Sequence, residues 1–325
     1  MFRQMIGAIL AGVMGVSVAD AAPLDRFTSF HVFGDSLSDP GNLFALTGRP
    51  ASPYFDGRYS NGPVWAEHLA ASFAARGLSA TNAAIGGAKA GGPQPLDPLF
   101  PIDVSVGGQV ARFAAALPAN PTVTLGTRPL AAIWAGANDL FAAIGGPDVE
   151  TAARTAADAV GLHAMTLVAG GITDLLIPNL PDLSLTPAYQ LFRSAADRAD
   201  ARLATLAFNA RLDDKIGALR AAGANVRSLD ISALFGDLIA NPFAFGLLDA
   251  RVPCVIPGVY ACTPAEANLL AFFDPVHPNA VVHQTVANRA TAALAPVPVA
   301  PAMALLLTAL AGLAGLNRAR HRRAI

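Results

Sequence analysis

The middle of the chain alternates short apolar runs with longer stretches in which apolar positions recur every three or four residues. A short apolar run between turn formers fits a buried strand, and a 3.6-residue period fits an amphipathic helix. Strands are predicted on that basis at 29–33, 81–85, 130–134, 172–178 and 225–231, and helices at 64–75, 149–169, 190–222 and 280–293. The run 130–134 is apolar throughout, as expected of a strand covered on both faces. Strands alternating with helices indicate a parallel sheet joined by right-handed crossovers. No repeat and no linker interrupts 23–294. The predicted fold is one α/β domain over 22–295, a three-layer α/β/α sandwich on a mostly parallel five-stranded sheet. Ligands in such folds bind beyond the carboxyl ends of the strands, so the chemistry should follow the strands directly.

The two ends break this pattern. Residues 1–21 carry Arg3, run apolar from 5 to 18, and finish on Ala19-Asp20-Ala21. A basic start, an apolar stretch and a small-x-small end read as a secretory signal peptide cut before Ala22, and so predict export to the periplasm, envelope or medium. The plainer alternative is an N-terminal core helix. At the far end, 296–325 holds Pro296, Pro298 and Pro301, then an apolar stretch over 302–316, then Arg318, Arg320, Arg322 and Arg323. That stretch is short against the roughly 20 residues a span needs, and basic residues after it would stay on the cytoplasmic side. The layout resembles C-terminal sorting signals of the PEP-CTERM kind, although Val297-Pro298-Val299-Ala300-Pro301 stands where Pro-Glu-Pro is usual. A sorting or processing machinery is the partner this resemblance implies; a plain anchor and a terminal helix packed on the domain are the other readings.

Composition narrows the classes. Of 325 residues, 53% are hydrophobic and 14% charged, enough apolar material for a large core. The formal net charge of -1 gives the whole chain no electrostatic footprint for nucleic acid. Six His and two Cys leave little for a metal cluster, and no metal or organic cofactor is expected. Cys254 and Cys262 sit close together in a stretch rich in Pro and Gly. In an exported chain they read as a disulfide closing a small loop, worth about 2–3 kcal/mol.

Four motifs follow predicted strands or close the domain. Gly34-Asp35-Ser36-Leu37-Ser38-Asp39 puts a serine directly after the first strand, where a nucleophile belongs, although Gly-Asp-Ser alone is an ordinary turn. Asn82-Ala83-Ala84-Ile85-Gly86-Gly87 offers backbone N–H groups at close approach, or simply a flexible loop. Gly136-Ala137-Asn138-Asp139 supplies an amide able to donate to a developing oxyanion, or a helix cap. Asp274-Pro275-Val276-His277-Pro278 pairs a carboxylate with a histidine in one stiffened turn, as a general base needs, or begins the following helix. There is no Gly-x-Ser-x-Gly elbow and no His-Glu-x-x-His.

Taken together and in this order, these motifs resemble the four blocks of the GDSL-type SGNH hydrolases over nearly all of 29–293. Arg58-Tyr59-Ser60-Asn61-Gly62-Pro63-Val64-Trp65 and Pro178-Asn179-Leu180-Pro181-Asp182 are similar too. The resemblance implies Ser36 as nucleophile, His277 as general base and acid, and Asp274 as the group that orients His277. It implies an oxyanion hole from the N–H of Ser36, the N–H of Gly87 and the side chain of Asn138. It also implies an SGNH or flavodoxin-like sheet and a small-molecule or lipid ester as substrate, with an acetylated polysaccharide as the alternative. A catalytically idle envelope-binding module is the reading from another class. Asp35 and Asp39 are expected to support the serine loop. Phe273, where the family often has Trp, and Asn279, where it often has Thr, are expected to shape the acyl pocket. Asn61 and Asp182 are expected near the site, behind the reacting groups, and His283 receives no catalytic role. Trp65 and Trp134 are expected in the core, and His31, His68, His163 and His283 as structural or surface residues.

Overall fold

The computed structural model describes residues 23–97, 100–119, 125–256 and 260–296. The predicted signal peptide at 1–21 and the apolar and Arg-rich tail beyond 296 lie outside these residues. Among the described residues no helix is long and apolar enough to cross a membrane.

The chain begins with β1 (Ser29–Gly34), α1 (Asn42–Thr47), α2 (Trp65–Ala74) and β2 (Ser79–Asn82). A hairpin of β3 (Pro95–Asp97) and β4 (Phe100–Asp103) leads to α3 (Val106–Ala119), β5 (Pro129–Trp134), α4 (Ala137–Ala143) and α5 (Val149–Ala169). Next come β6 (Asp174–Pro178), α6 (Pro187–Phe192), α7 (Ala195–Ala221), β7 (Asn225–Leu229) and α8 (Ile231–Ala240). The last part holds β8 (Asp249–Pro253), β9 (Val255–Ile256), β10 (Tyr260–Ala261), α9 (Pro264–Ala267), β11 (Leu270–Phe272) and α10 (Ala280–Ala293).

Five strands form a parallel sheet in the order β2-β1-β5-β6-β7. This is the flavodoxin-like order, with its switch point between β1 and β5. Every residue of β1, β5 and β6 is buried, which explains why they are apolar apart from Ser29, His31 and Asp174. Helix α2 packs with α10, while α3, α5 and α7 pack together, giving the predicted three layers. The α5–α7 contact is close because α5 turns Ala153, Ala157, Gly161 and Ala164 inward. A Cβ on Gly161 would press into the Lys215 stem. The core runs from Leu24 to Leu294 and centres on Trp65, Trp134, Phe30 and Phe33.

Two predicted boundaries need correction. The helix expected over 190–222 is two helices, because Ser194 starts a new one. Ser194 accepts from the Asp197 N–H at 3.0 Å while Asp197 accepts from the Ser194 N–H at 3.2 Å, a reciprocal cap. The second strand lies at Ser79–Asn82 rather than 81–85. Beyond Asn82 the chain still bonds to β1, with Ala83 N–H to Val32 and Ile85 N–H to Gly34, but irregularly.

Cys254 and Cys262 form a disulfide, with Cα atoms 4.9 Å apart. It ties the β9–β10 excursion to a small satellite cluster of Val255, Ala267 and Phe273.

Candidate active site

The serine motif leaves the sheet at Gly34. A Cβ there would overlap the Trp134 carbonyl oxygen, so only glycine lets β1 and β5 approach so closely. The Gln109 amide grips both backbone groups of Gly34, accepting from its N–H and donating to its carbonyl at 2.9 Å each. The next turn closes through Ser38 N–H to the Asp35 carbonyl at 3.0 Å, and Asp35 Oδ1 accepts from the Leu37 N–H at 3.0 Å. Ser36 therefore sits at the carboxyl end of β1, beside the switch point.

Asp39, fully buried, joins this loop to the glycine motif. Its carboxylate accepts N–H groups from Gly41, Asn42 and Leu43 at the start of α1, and from Gly86 at 2.7 Å. The Gly86 N–H is thus occupied. Gly87, at φ +78°, lines the cleft, and its N–H makes no hydrogen bond among the described residues. Asn138, in the first turn of α4, lines the same cleft and donates Nδ2 to the Ala88 carbonyl at 3.0 Å. A second contact from Nδ2 reaches Asp35 Oδ2 at 3.4 Å, long enough to be weak. Its neighbour Asp139 accepts from the N–H groups of Ala90 and Gly91 at 2.7 and 3.0 Å, so it braces the glycine loop from the other side.

The fourth motif approaches from β11. Phe273 N–H bonds to the His277 carbonyl at 2.8 Å and closes the turn. Asp274 Oδ1 accepts the N–H groups of Val276 and His277 at 2.9 and 2.8 Å. Asp274 Oδ2 meets His277 Nδ1 at 2.7 Å, and His277 Nε2 meets Ser36 Oγ at 2.8 Å. Residues 241 positions apart in sequence thereby form one continuous relay. Asn279 and Asn61 fix the start of α10. Asn279 caps the helix through the Val282 N–H at 2.9 Å, and Asn61 accepts the Ala280 N–H at 2.8 Å.

Burial and hydrogen bonding set the charges. Burial alone would raise Asp274, but the adjacent His277, two backbone N–H groups and the Tyr54 hydroxyl hold its carboxyl below the ordinary value. Burial pushes Asp35 up to about 7. It also raises Asp39 and Asp139 in spite of their amide donors. His31 and His283 are driven down, to about 4 and about 3, by burial. His31 bonds to Thr81 and Ser29, and His283 Nδ1 accepts the Trp65 N–H at 3.3 Å, so both are structural as expected.

Ser36, Gly87, Asn138 and His277 converge on one cleft of about 260 Å³. Its walls are mainly apolar, including Leu37, Trp134, Phe141, Leu183, Phe235 and Phe272. Trp134, expected only in the core, is buried and also part of this wall. Phe273 and Asn279 do not shape the cleft. Phe273 packs edge-on against Tyr54 in the satellite cluster, and Asn279 acts as a cap. Asp182 caps the turn Leu183–Leu185 and pairs with Arg202 at 3.1 Å.

Two tyrosines outside the four motifs also belong to the site. The Tyr54 hydroxyl donates to Asp274 Oδ2 at 2.8 Å. The Tyr59 ring lies 4.7 Å from the His277 ring and lines the cleft. Tyr59 stands in a family-like stretch of sequence. Tyr54 lies 220 residues from its partner, a contact no local pattern reveals.

A parallel sheet with a Ser-His-Asp relay at its switch point defines a hydrolase class, and comparison with known proteins narrows it. The model of the GDSL-like Lipase/Acylhydrolase family matches residues 31–290, and the chain belongs to that family. It is a carboxylic ester hydrolase. It is 30% identical over 250 residues to a phosphatidylcholine-sterol acyltransferase of Aeromonas hydrophila, covering 75% of this chain and 70% of that protein. It is 28% identical over 285 residues to a thermolabile hemolysin of Vibrio parahaemolyticus, covering 82% of this chain and 63% of the hemolysin. It is 23% identical over 304 residues to an acetylesterase of Thermothelomyces thermophilus, covering 89% and 96%.

Proposed function

We propose that this chain hydrolyses esters with an apolar acyl group through an acyl-enzyme on Ser36. The observation that carries this reading is the unbroken relay Asp274–His277–Ser36, at 2.7 and 2.8 Å. His277 Nε2 takes the Ser36 proton as Oγ attacks the ester carbonyl. Asp274 keeps the His277 Nδ1–H in the required tautomer and stabilises the imidazolium. The oxyanion is met by the N–H groups of Ser36 and Gly87 and by the Asn138 amide, each strong donor worth about 3–4 kcal/mol. For Asn138 this requires the weak 3.4 Å contact to Asp35 to give way. His277 then protonates the departing alkoxide, and water repeats the sequence to free the acid and restore Ser36.

The apolar walls of the cleft support the substrate class. Each buried methylene contributes about 0.8 kcal/mol, roughly fourfold in kcat/KM. Helix α6, bonded to the catalytic turn through Ala188 N–H and the Pro275 carbonyl, exposes Leu191 and Phe192 to solvent, in keeping with an apolar substrate. Similarity to the acetylesterase supports a second reading, removal of acetyl groups from a polysaccharide. A nitrophenyl ester series run beside an acetylated glycan separates the two. Rates that climb from acetyl to hexanoyl favour the first, and a preference for the glycan favours the second.

We further propose export. The leader-like segment 1–21 and the disulfide at Cys254–Cys262 both suit an oxidising compartment. The segment 302–323 fits an anchor or a PEP-CTERM-like sorting signal read by envelope machinery.

Ser36→Ala tests the whole reading. Turnover is expected to drop by about 10⁴-fold or more, and labelling by a fluorophosphonate to disappear. A folded variant that still labels would move the nucleophile elsewhere.

A further inference from the structure

The amino end of the sheet, opposite the cleft, holds a second cavity of about 230 Å³. Four guanidinium groups line it: Arg26 ahead of β1, Arg128 just before β5, Arg220 in the last turn of α7, and Arg227 within β7. Asp174 is the one carboxylate in the lining. Arg128 holds it in a two-pronged pair, with Nε and Nη2 each at 3.1 Å. Arg220 donates Nε and Nη2 to the Val226 carbonyl at 3.1 and 3.0 Å, which occupies part of its fork but leaves its charge unmatched. Arg26 and Arg227 form no ion pair among the described residues, and the Nε of Arg26 is buried with no hydrogen-bond partner.

The charge balance is lopsided. Four cations face one carboxylate, a surplus of three. The α7 carboxyl end offsets about half a charge. The cations also feel one another: burial and then repulsion from Arg128 lower Arg26, Asp174 offsets part of this, and Arg227 adds to the lowering. Folding a chain so that arginines converge on a polar hollow and leave a buried donor unused is unfavourable, unless an anion completes the site.

We propose that this cavity binds a phosphate group, either free phosphate or the monoester headgroup of a lipid. A single carboxylate offers one charge and two oxygens. A phosphate brings nearly two charges and three or four oxygens, which suits planar forks that donate in pairs. The position of the hollow makes binding there independent of the ester chemistry, because the cleft opens at the other end of the sheet.

The test is thermal unfolding and calorimetric titration of the purified chain with inorganic phosphate, at ionic strength held constant with chloride so that plain screening is matched. A saturable rise in Tm, with a dissociation constant near or below about a millimolar, is expected. The double variant Arg26→Gln/Arg227→Gln should bind phosphate at least tenfold more weakly, with an unchanged circular dichroism spectrum and unchanged ester turnover. A flotation arm with phosphatidylcholine vesicles, with and without phosphatidic acid, separates the sources. Binding that requires phosphatidic acid and is competed by phosphate assigns the headgroup; a phosphate response with no vesicle binding assigns the free ion. A parent chain that shows neither a phosphate response beyond chloride nor phosphatidic acid-dependent binding would overturn the proposal without recourse to any variant. So would a double variant that responds as the parent does.

Discussion

Ser36 stands on a loop stitched into the sheet by buried side chains, whereas Asp274 and His277 stand on a turn propped from outside it. Gln109 and Asp39 hold the first loop, almost wholly through bonds to backbone N–H and carbonyl groups. The second is held by its own backbone, by Tyr54 on Asp274, and by the Tyr59 ring against His277. Their carboxyls respond in opposite ways. Asp39 accepts four backbone N–H groups and is still raised by burial, while the equally buried Asp274 is lowered. Both have amide donors; only Asp274 also touches an imidazole and a phenol. A partner able to carry positive charge therefore decides the direction, where neutral amides do not. The serine loop is built for position, and the histidine turn is built for charge.

Substitutions on each side put that contrast at risk. Asp274→Asn should strike hardest, with kcat falling about 10⁴-fold, since the amide favours the wrong His277 tautomer; a melting curve recorded alongside should show the fold intact. Asn138→Ala is expected to lower kcat by about 10²–10³-fold with KM little changed, read by steady-state kinetics on one nitrophenyl ester. Asp39→Ala should act on stability instead. It strips four backbone donors of their acceptor and is expected to cost about 3 kcal/mol in urea unfolding. If its loss is confined to kcat, the division of labour between loop and turn fails.

The smallest effect is a difference in pH response. Asp35, raised to about 7, contributes stability that is present below its unfolded value of 3.8 and lost as pH climbs to about 7. Asp35→Asn should flatten that decline. Asp274, held low, contributes stability present above the unfolded value and lost as pH falls through the folded one. Tyr54→Phe removes one of its donors, so Tm should fall most at neutral pH and the decline in acid should become shallower, the two curves converging below the folded value. Tm measured against pH for both variants checks both signs.

The sheet and the relay are legible in the chain because they rest on local patterns. A wholly apolar run such as 130–134 has few options besides a covered strand, and Asp274 and His277 lie within one turn. Helices α5 and α10 appear where periodicity puts them. The break at Ser194 carries the pattern of a capping box, but the helical period on either side outweighs it. Phe273 escapes its motif because membership of a motif says nothing about which way a ring points. Tyr54 and Gln109 are invisible for a different reason: their partners lie far away in sequence, and a tyrosine or glutamine gives no local sign of the contact it will make.

The indole in the cleft wall doubles as an optical reporter. The chain contains only two tryptophans, and Trp134 borders the cleft while Trp65 lies edge-on to it at 6.0 Å. An acyl group seated against Trp134 changes the surroundings of a ring that supplies a large part of the intrinsic emission. Fluorescence can therefore time acylation and deacylation directly, with no chromogenic ester and no added dye.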